Sequence, residues 1–176
     1  DAVVDRTYIS TGKWEGEQAR LGNTNFIGMG ANEMDFKAPQ PVIDALIRTA
    51  DAGIFGYSYL RSNHYDSMIG FYEKHFKWSL KPEYLHHHQG IWKALRTIFE
   101  MLTQKGDEII YQPPVHAPLM RVLDTLGLKG VENPLKRCKD QYVMDFDQLE
   151  TCFSQRTKAV FICNPENPTA TVWKKK

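Results

Sequence analysis

Apolar positions in this chain change rhythm near Gly106, and that change separates the elements they predict. Ahead of it, apolar residues recur at helical spacing. Val42, Ile43, Ala45, Leu46 and Ile47 make a stripe up to Ala50, with Pro41 as first helical residue and Gly53 as stop. Met68, Ile69, Phe71, Tyr72 and Phe76 predict a second helix over about 65–76. Ile91, Trp92, Leu95, Ile98, Phe99, Met101 and Leu102 predict a third, which begins near Gly90 and ends before Lys105-Gly106. An aromatic-rich loop, Ile54-Phe55-Gly56-Tyr57-Ser58-Tyr59, lies between the first two.

Beyond Gly106 the apolar runs are short. Glu108-Ile109-Ile110-Tyr111 reads as a strand, Val115 to Leu126 as a helix, and Gly130-Val131-Glu132 as a weak strand. Tyr142-Val143-Met144 is a short extended piece. Asp145 and Gln148 have capping-box spacing, which predicts a helix through about Phe153. Lys158 to Cys163 is the final strand. Helix and strand alternate from Gly90 onward, the pattern of a parallel sheet with crossover helices. Residues 1 to about 40 lack sustained periodicity and are rich in Gly, Asn and Thr, which predicts an extended arm packed on something else.

Composition narrows the class of protein without naming it. A length of 176 residues suffices for a real core and suits one domain, or one domain with an appendage. Hydrophobic residues make up 42% and charged residues 24%, ordinary for a soluble globular chain. A net charge of +1 gives no electrostatic argument for nucleic acid or an anionic membrane, and no run of about 18 apolar residues predicts a membrane span. Lys174-Lys175-Lys176 reads as a solvated tail. Cys138, Cys152 and Cys163 are odd in number and widely spaced, which argues for free thiols in a reducing compartment. Asp1 opens a polar segment with no apolar signal region, so a cytoplasmic location is the default expectation.

Three constellations carry candidate chemistry. Leu85-His86-His87-His88-Gln89-Gly90 leads into the helix at Ile91, and a Gly there lets backbone N–H groups converge on an anion such as phosphate. The same Gly also reads simply as a turn. On an extended segment only His86 and His88 share a face, and without a nearby carboxylate or Cys at ligand spacing the histidines read as solvated or packed, not as metal ligands. Pro113-Pro114-Val115-His116-Ala117-Pro118 puts a flat side chain, His116, beyond a strand end, where it either stacks on a planar ring or belongs to a Pro-rich helix entry. The third is Cys163-Asn164-Pro165-Glu166-Asn167-Pro168-Thr169, after the apolar run Ala159-Val160-Phe161-Ile162. Two Asn-Pro steps fix a turn or extended backbone, and Asn167 offers an amide donor that needs no ionisation. Open α/β sheets bind ligands at such carboxyl ends.

In their order along the chain these motifs resemble the fold-type I pyridoxal 5′-phosphate enzymes of the class I/II aminotransferase superfamily, most nearly the cystathionine β-lyase-like C–S lyase branch. Val4-Asp5-Arg6 with Lys13-Trp14, Met34-Asp35-Phe36 with Ala38-Pro39 and Val42-Ile43, and Phe55-Gly56-Tyr57 are similar to that branch's V-x-D-R … K-W, M-D-F-x-x-P … V-I and F-G-Y. Gly106-Asp107-Glu108, Pro114-Val115-His116-Ala117-Pro118 and the Asn-Pro loop resemble its G-D-x-V/I, P-V-Y-x-P and C-N-P-x-N-P-T-G. The likeness covers nearly the whole chain. It implies an α/β fold of aminotransferase type I, a parallel-dominated sheet with crossover helices, truncated before the C-terminal small domain. Residues 1–40 are then the arm and part of the small domain, and 41–176 the N-terminal part of the large cofactor-binding domain.

The resemblance also implies roles. Gly90, Ile91 and Trp92 cradle the phosphate, His116 takes the place of the aromatic residue stacked on the pyridine ring, and Asn167 donates to the phenolic oxygen. Tyr57 reaches the phosphate of the neighbouring subunit in a homodimer, and Asn32 and Glu33 lie in the arm near the carboxylate of a small amino-acid substrate. The chain departs from the pattern at several positions. His116 stands for Tyr, Asn32-Glu33 for Ala-Asp, Ala170 for Gly and Thr171 for a common Arg, while Gln89 and Lys93 replace residues usually Pro. The family supplies its Schiff-base Lys, its pyridine-nitrogen Asp and its substrate Arg beyond the Asn-Pro loop, so no catalytic residue is assigned in this chain. The expected function is part of a C–S β-lyase that releases thiol, pyruvate and ammonia; the chain alone is expected to be inactive and to associate through uncovered apolar surface. An aminotransferase and a non-catalytic interaction module are the alternatives.

Overall fold

A computed structural model of the chain describes residues 4, 6, 10–29 and 33–174. Asn32, Asp5 of the opening motif and Lys175-Lys176 of the basic tail lie outside the described residues. The chain divides into two compact units, Asp1–Arg61 and Ser62–Lys176.

The arm of the first unit is less extended than its sequence suggests. The Thr11 side chain accepts from the Trp14 N–H and caps a π-type turn over Gly12–Gly16, which runs into helix α1, Glu17–Leu21. Segments this short leave no periodic signal to read. An ion-pair knot anchors the turn: Asp35 holds Lys13 Nζ at 2.6 Å and Arg6 at 2.6 Å, and Arg6 also meets Glu33 at 3.3 Å. Lys13 is buried, and the paired carboxylate is what makes that burial tolerable. These interactions draw Arg6 and the Lys13-Trp14 motif onto the Met34-Asp35-Phe36 motif. Helix α2, Gln40–Asp51, follows with Pro41 in its first turn, as the stripe predicts. The aromatic loop after it is irregular and exposed.

In the second unit, helix α3 spans Ser62–Phe76. It starts earlier than its stripe because its first turn is polar. Helix α4, Ile91–Leu102, precedes strand β1, Glu108–Tyr111, and both match their sequence readings. Helix α5 spans Pro118–Leu126 and not Val115 onward, and Pro118, which has no N–H to donate, stands in its first turn. Strands β2 (Lys129–Glu132), β3 (Lys136–Cys138) and β4 (Gln141–Val143) follow, then helix α6 (Phe146–Thr151) and strand β5 (Thr157–Val160). Asp145 caps α6 through the Gln148 N–H as expected, although the helix stops short of Phe153. Strand β3 escaped sequence reading because Lys136-Arg137-Cys138 is wholly exposed and has no apolar alternation.

The sheet order is β2-β1-β5, and both pairings are parallel. Strands β3 and β4 form a separate antiparallel hairpin. Strand β5 ends at Val160, before the predicted Cys163, because its partner β1 ends too; the last link is the Phe161 N–H to Ile110 O bond of 2.8 Å. Central strand β1 is buried along its whole length. Ile109 and Tyr111 share a core with Phe99 of α4, Leu119, Val122 and Leu123 of α5, and Leu128. Each fully buried aliphatic side chain there contributes about 1.5–3 kcal/mol relative to exposure. Tyr111 donates to Glu132 at 2.7 Å across the β1–β2 pair, and its pKa is pushed up to about 12, by burial first and then by that carboxylate.

Candidate functional site

Parallel strands deliver their carboxyl ends to one edge of the sheet, and two of the predicted site segments leave from that edge. Strand β1 runs into 112–117, which carries His116, and the adjacent β5 runs into 161–173, which carries Asn167. Helix α4 brings its N-terminus to the same place. The Trp92 and His116 rings lie 5.3 Å apart between centroids with an interplanar angle of 44°.

Gly90 precedes α4 at φ 94° and ψ 157°, a backbone region that side chains avoid. Its N–H donates to His88 O at 2.9 Å, which turns the chain into the helix. The first intrahelical bond is Ala94 N–H to Gly90 O at 3.3 Å, so the amides of Ile91, Trp92 and Lys93 donate to no described residue. A Cβ added at Gly90 meets no atom within 4 Å, so the turn faces open space. Free first-turn amides and the positive end of the helix dipole together favour an anion. Lys93 Nζ is held by Gln89 Oε1 at 2.7 Å across this turn. Two departures from the family pattern therefore bond to one another.

The Asn-Pro loop is cross-braced. Glu166 N–H donates to Thr171 O at 2.8 Å, and Ala170 N–H donates to Glu166 O at 2.7 Å. Ala170 takes a left-handed φ of 55°, where the family pattern has Gly. Both Asn-Pro bonds are cis. Asn167 is half-buried, and its carboxamide hydrogen-bonds no described residue. Its neighbour Glu166 is 2% exposed, and its Oε1 has no partner among the described residues. Burial pushes the Glu166 carboxyl above its ordinary range, against the lowering effect of the Asn167 backbone N–H.

The first unit holds the remaining predicted residues. Tyr57 is completely exposed. The Glu33 carboxylate accepts from Arg6 at 3.3 Å and from the Lys13 backbone N–H at 3.1 Å, which engages it inside the arm. His86, His87 and His88 line a cavity of about 190 Å³ with His64, whose ring is 6.1 Å from that of His87. Among the described residues no three His, Cys, Asp or Glu side chains, these histidines included, are grouped so that they could hold a metal ion. The three cysteines are free thiols. No described helix is long and apolar enough to cross a membrane.

Sequence reasoning missed the buried state of Glu166 and the part of Trp173, whose indole and backbone N–H groups tie back to Cys163 and Asn164. A charged residue between two Asn-Pro steps gave no sign of burial.

A helix N-terminus with free amides, a ring pair and an uncommitted amide at the carboxyl edge of a parallel sheet make up the candidate site of this α/β protein. Residues 24–176 match the family model for aminotransferase class I and II, and the chain belongs to that family. It is 32% identical over 174 residues to cystathionine beta-lyase PatB of Bacillus subtilis (strain 168), a match covering 98% of this chain and 45% of that protein. It is 27% identical over 164 residues to an aspartate aminotransferase of Bacillus sp. (strain YM-2), covering 89% of this chain and 40% of the relative. Among solved structures it is similar to the PLP-bound C-S lyase from Staphylococcus hominis, with a TM-score of 0.87, 26% identity, and coverage of 98% of this chain and 44% of that one. The chain thus spans less than half the length of these relatives.

Proposed function

We propose that this chain is the cofactor-cradling part of a pyridoxal 5′-phosphate-dependent C–S β-lyase of the cystathionine β-lyase type. The observation that carries the reading is the meeting of the Gly90-led helix start with His116 through the Trp92 ring, at the sheet edge from which Asn167 also leaves. The residues fit the cofactor's three demands. The amides of Ile91 and Trp92 suit its phosphate, the His116 imidazole suits a ring face, and the uncommitted Asn167 carboxamide suits a phenolic oxygen. Bound there, the cofactor supplies an electron sink for charge that develops at the substrate's Cα.

This chain's own residues bind and orient. The α4 N-terminus fixes the phosphate end, His116 covers one ring face, and Asn167 favours the ionised phenolic oxygen by donating to it. Tyr57, wholly exposed in an apolar loop, suits a reach into a second copy, so a homodimer belongs to the reading. Asn32 and Glu33 are assigned to the carboxylate of a small amino-acid substrate, and Glu33 is held by Arg6 so that it acts as part of the arm's frame. Residues 1–40 then contribute to the small domain, and 41–176 to the large one. The free thiols suit the cytoplasm.

Titration of the chain with pyridoxal phosphate, followed by absorbance, tests the cradle; binding unaffected by Asn167→Ala together with His116→Ala sinks it. The complete gene product separates the reactions. Pyruvate and thiol from cystathionine mark a lyase, whereas amino transfer to a 2-oxo acid without thiol marks an aminotransferase, the second reading that the aspartate aminotransferase relative supports.

A further inference from the structure

The loop that carries Asn167 is gripped by a residue that, among the described residues, makes no hydrogen bond to Asn167 or to any other group assigned to the site. The Trp173 indole N–H donates to Cys163 O at 2.8 Å, and the Trp173 backbone N–H donates to Asn164 Oδ1 at 3.1 Å. Cys163 and Asn164 lie at the loop's entry and Trp173 at its exit, so one residue closes the segment on itself. Inside that closure sit the Glu166–Thr171 and Ala170–Glu166 backbone bonds and the 2.9 Å contact between the Thr169 and Thr171 hydroxyls. Trp173 also lines a cavity of about 510 Å³ together with Gln141, Tyr142, Met144 and Phe146. With its indole N–H and its backbone N–H both donating, Trp173 is tied to the loop entry at two points.

We propose that Trp173 is the positioning residue for Asn167. By tying Cys163 and Asn164 it fixes the entry angle of the loop and hence the direction of the Asn167 carboxamide three residues further on. A donor held this way reorganises little when its acceptor arrives, which is how a remote residue adds to binding. The inference rests on the reading of Asn167 as donor to the cofactor's phenolic oxygen.

Hydrogen exchange on the whole chain tests it without any ligand. Trp173→Phe keeps an aromatic ring and deletes the indole donor, while Asn164→Ala deletes the other acceptor. Each variant is expected to speed exchange of the Glu166 and Ala170 amides by about 3- to 10-fold, the loss of one hydrogen bond, with the α5 amides unchanged. Unchanged loop exchange in both variants overturns the proposal, as does an equal rise across α5, which marks general destabilisation. With pyridoxal phosphate added, Trp173→Phe shifts the absorbance titration of the phenolic oxygen to higher pH, in the same direction as Asn167→Ala. A wholly structural role leaves that titration in place, and that result also overturns the proposal. If Asn167→Ala itself leaves the titration unmoved while the loop still loosens in Trp173→Phe, the Asn167 reading has failed and the loop brace stands.

Discussion

The Trp92 indole and the His116 imidazole lie 5.3 Å apart between ring centroids, and this contact joins the first turn of α4 to the loop after β1. Twenty-four positions separate the two residues. Their meeting brings two individually weak motifs together at one edge of the sheet.

Loss of the His116 ring removes a pair interaction of about 0.5–1.5 kcal/mol. His116→Ala is therefore expected to weaken pyridoxal phosphate binding by roughly 2- to 10-fold. His116→Tyr, which keeps a planar ring, is expected to bind about as well as the parent. Absorbance titration of both variants checks this, and equal affinities for the Ala and Tyr variants contradict it.

Gly90 sits where only glycine is at ease, and the space beside it is open. Gly90→Ala therefore costs backbone strain of about 1–3 kcal/mol with no steric clash to relieve. The expected result is a lower urea midpoint together with weaker binding of the phosphate group. A variant that keeps both the midpoint and the phosphate affinity refutes this account of the turn.

Gly130 is required for a different reason. A Cβ there lies 2.8 Å from Tyr111 Cε1 and 3.3 Å from Leu123 Cδ1, so β2 approaches α5 and Tyr111 too closely for a methyl group. Gly130→Ala is expected to destabilise the second unit by about 1–3 kcal/mol, the usual cost of overpacking. Denaturant unfolding reads it, and a second substitution trimming Tyr111 is expected to restore part of the loss.

The acidic groups divide stability against pH into two windows. Glu166 has its folded pKa raised by burial, so the native state binds its proton more tightly than the unfolded chain does. Its contribution is fully present below the ordinary glutamate pKa of about 4.3 and is lost as pH rises through the raised folded value. Glu108 behaves in the opposite sense. Its hydrogen bond from Lys129, then that from Ser154, lower its pKa, so its contribution is present above that ordinary value and is lost as pH falls through the depressed one. Thermal melts over a pH series are expected to show a smaller decline on the neutral side in Glu166→Gln and a smaller decline on the acid side in Glu108→Gln. Parallel curves for the parent and Glu166→Gln contradict the burial argument.

The second unit's framework was legible in the sequence because its signals are local. The Glu108-Ile109-Ile110-Tyr111 run marked a short strand, the stripe from Ile91 to Leu102 marked α4, and Asp145 with Gln148 marked the α6 cap. The family was legible from motif order. Strands β1 and β5 lead into the segments of His116 and Asn167, as their short apolar runs suggested. Less legible were the arm's helical turn and β3, whose residues are too few or too polar to print a period.

Apolar spacing states which face of an element is buried, and it does so without reference to a partner. It cannot state which polar atoms meet, because hydrogen bonds and ion pairs depend on approach between residues far apart in the chain. Only the tertiary structure put His116 beside Trp92, bound Glu33 to Arg6, enclosed Glu166, and turned Trp173 back onto Cys163. The sequence by itself determined the elements and the family. The tertiary structure decided which side chains are engaged within the chain and which, like the Asn167 carboxamide, hydrogen-bond no described residue.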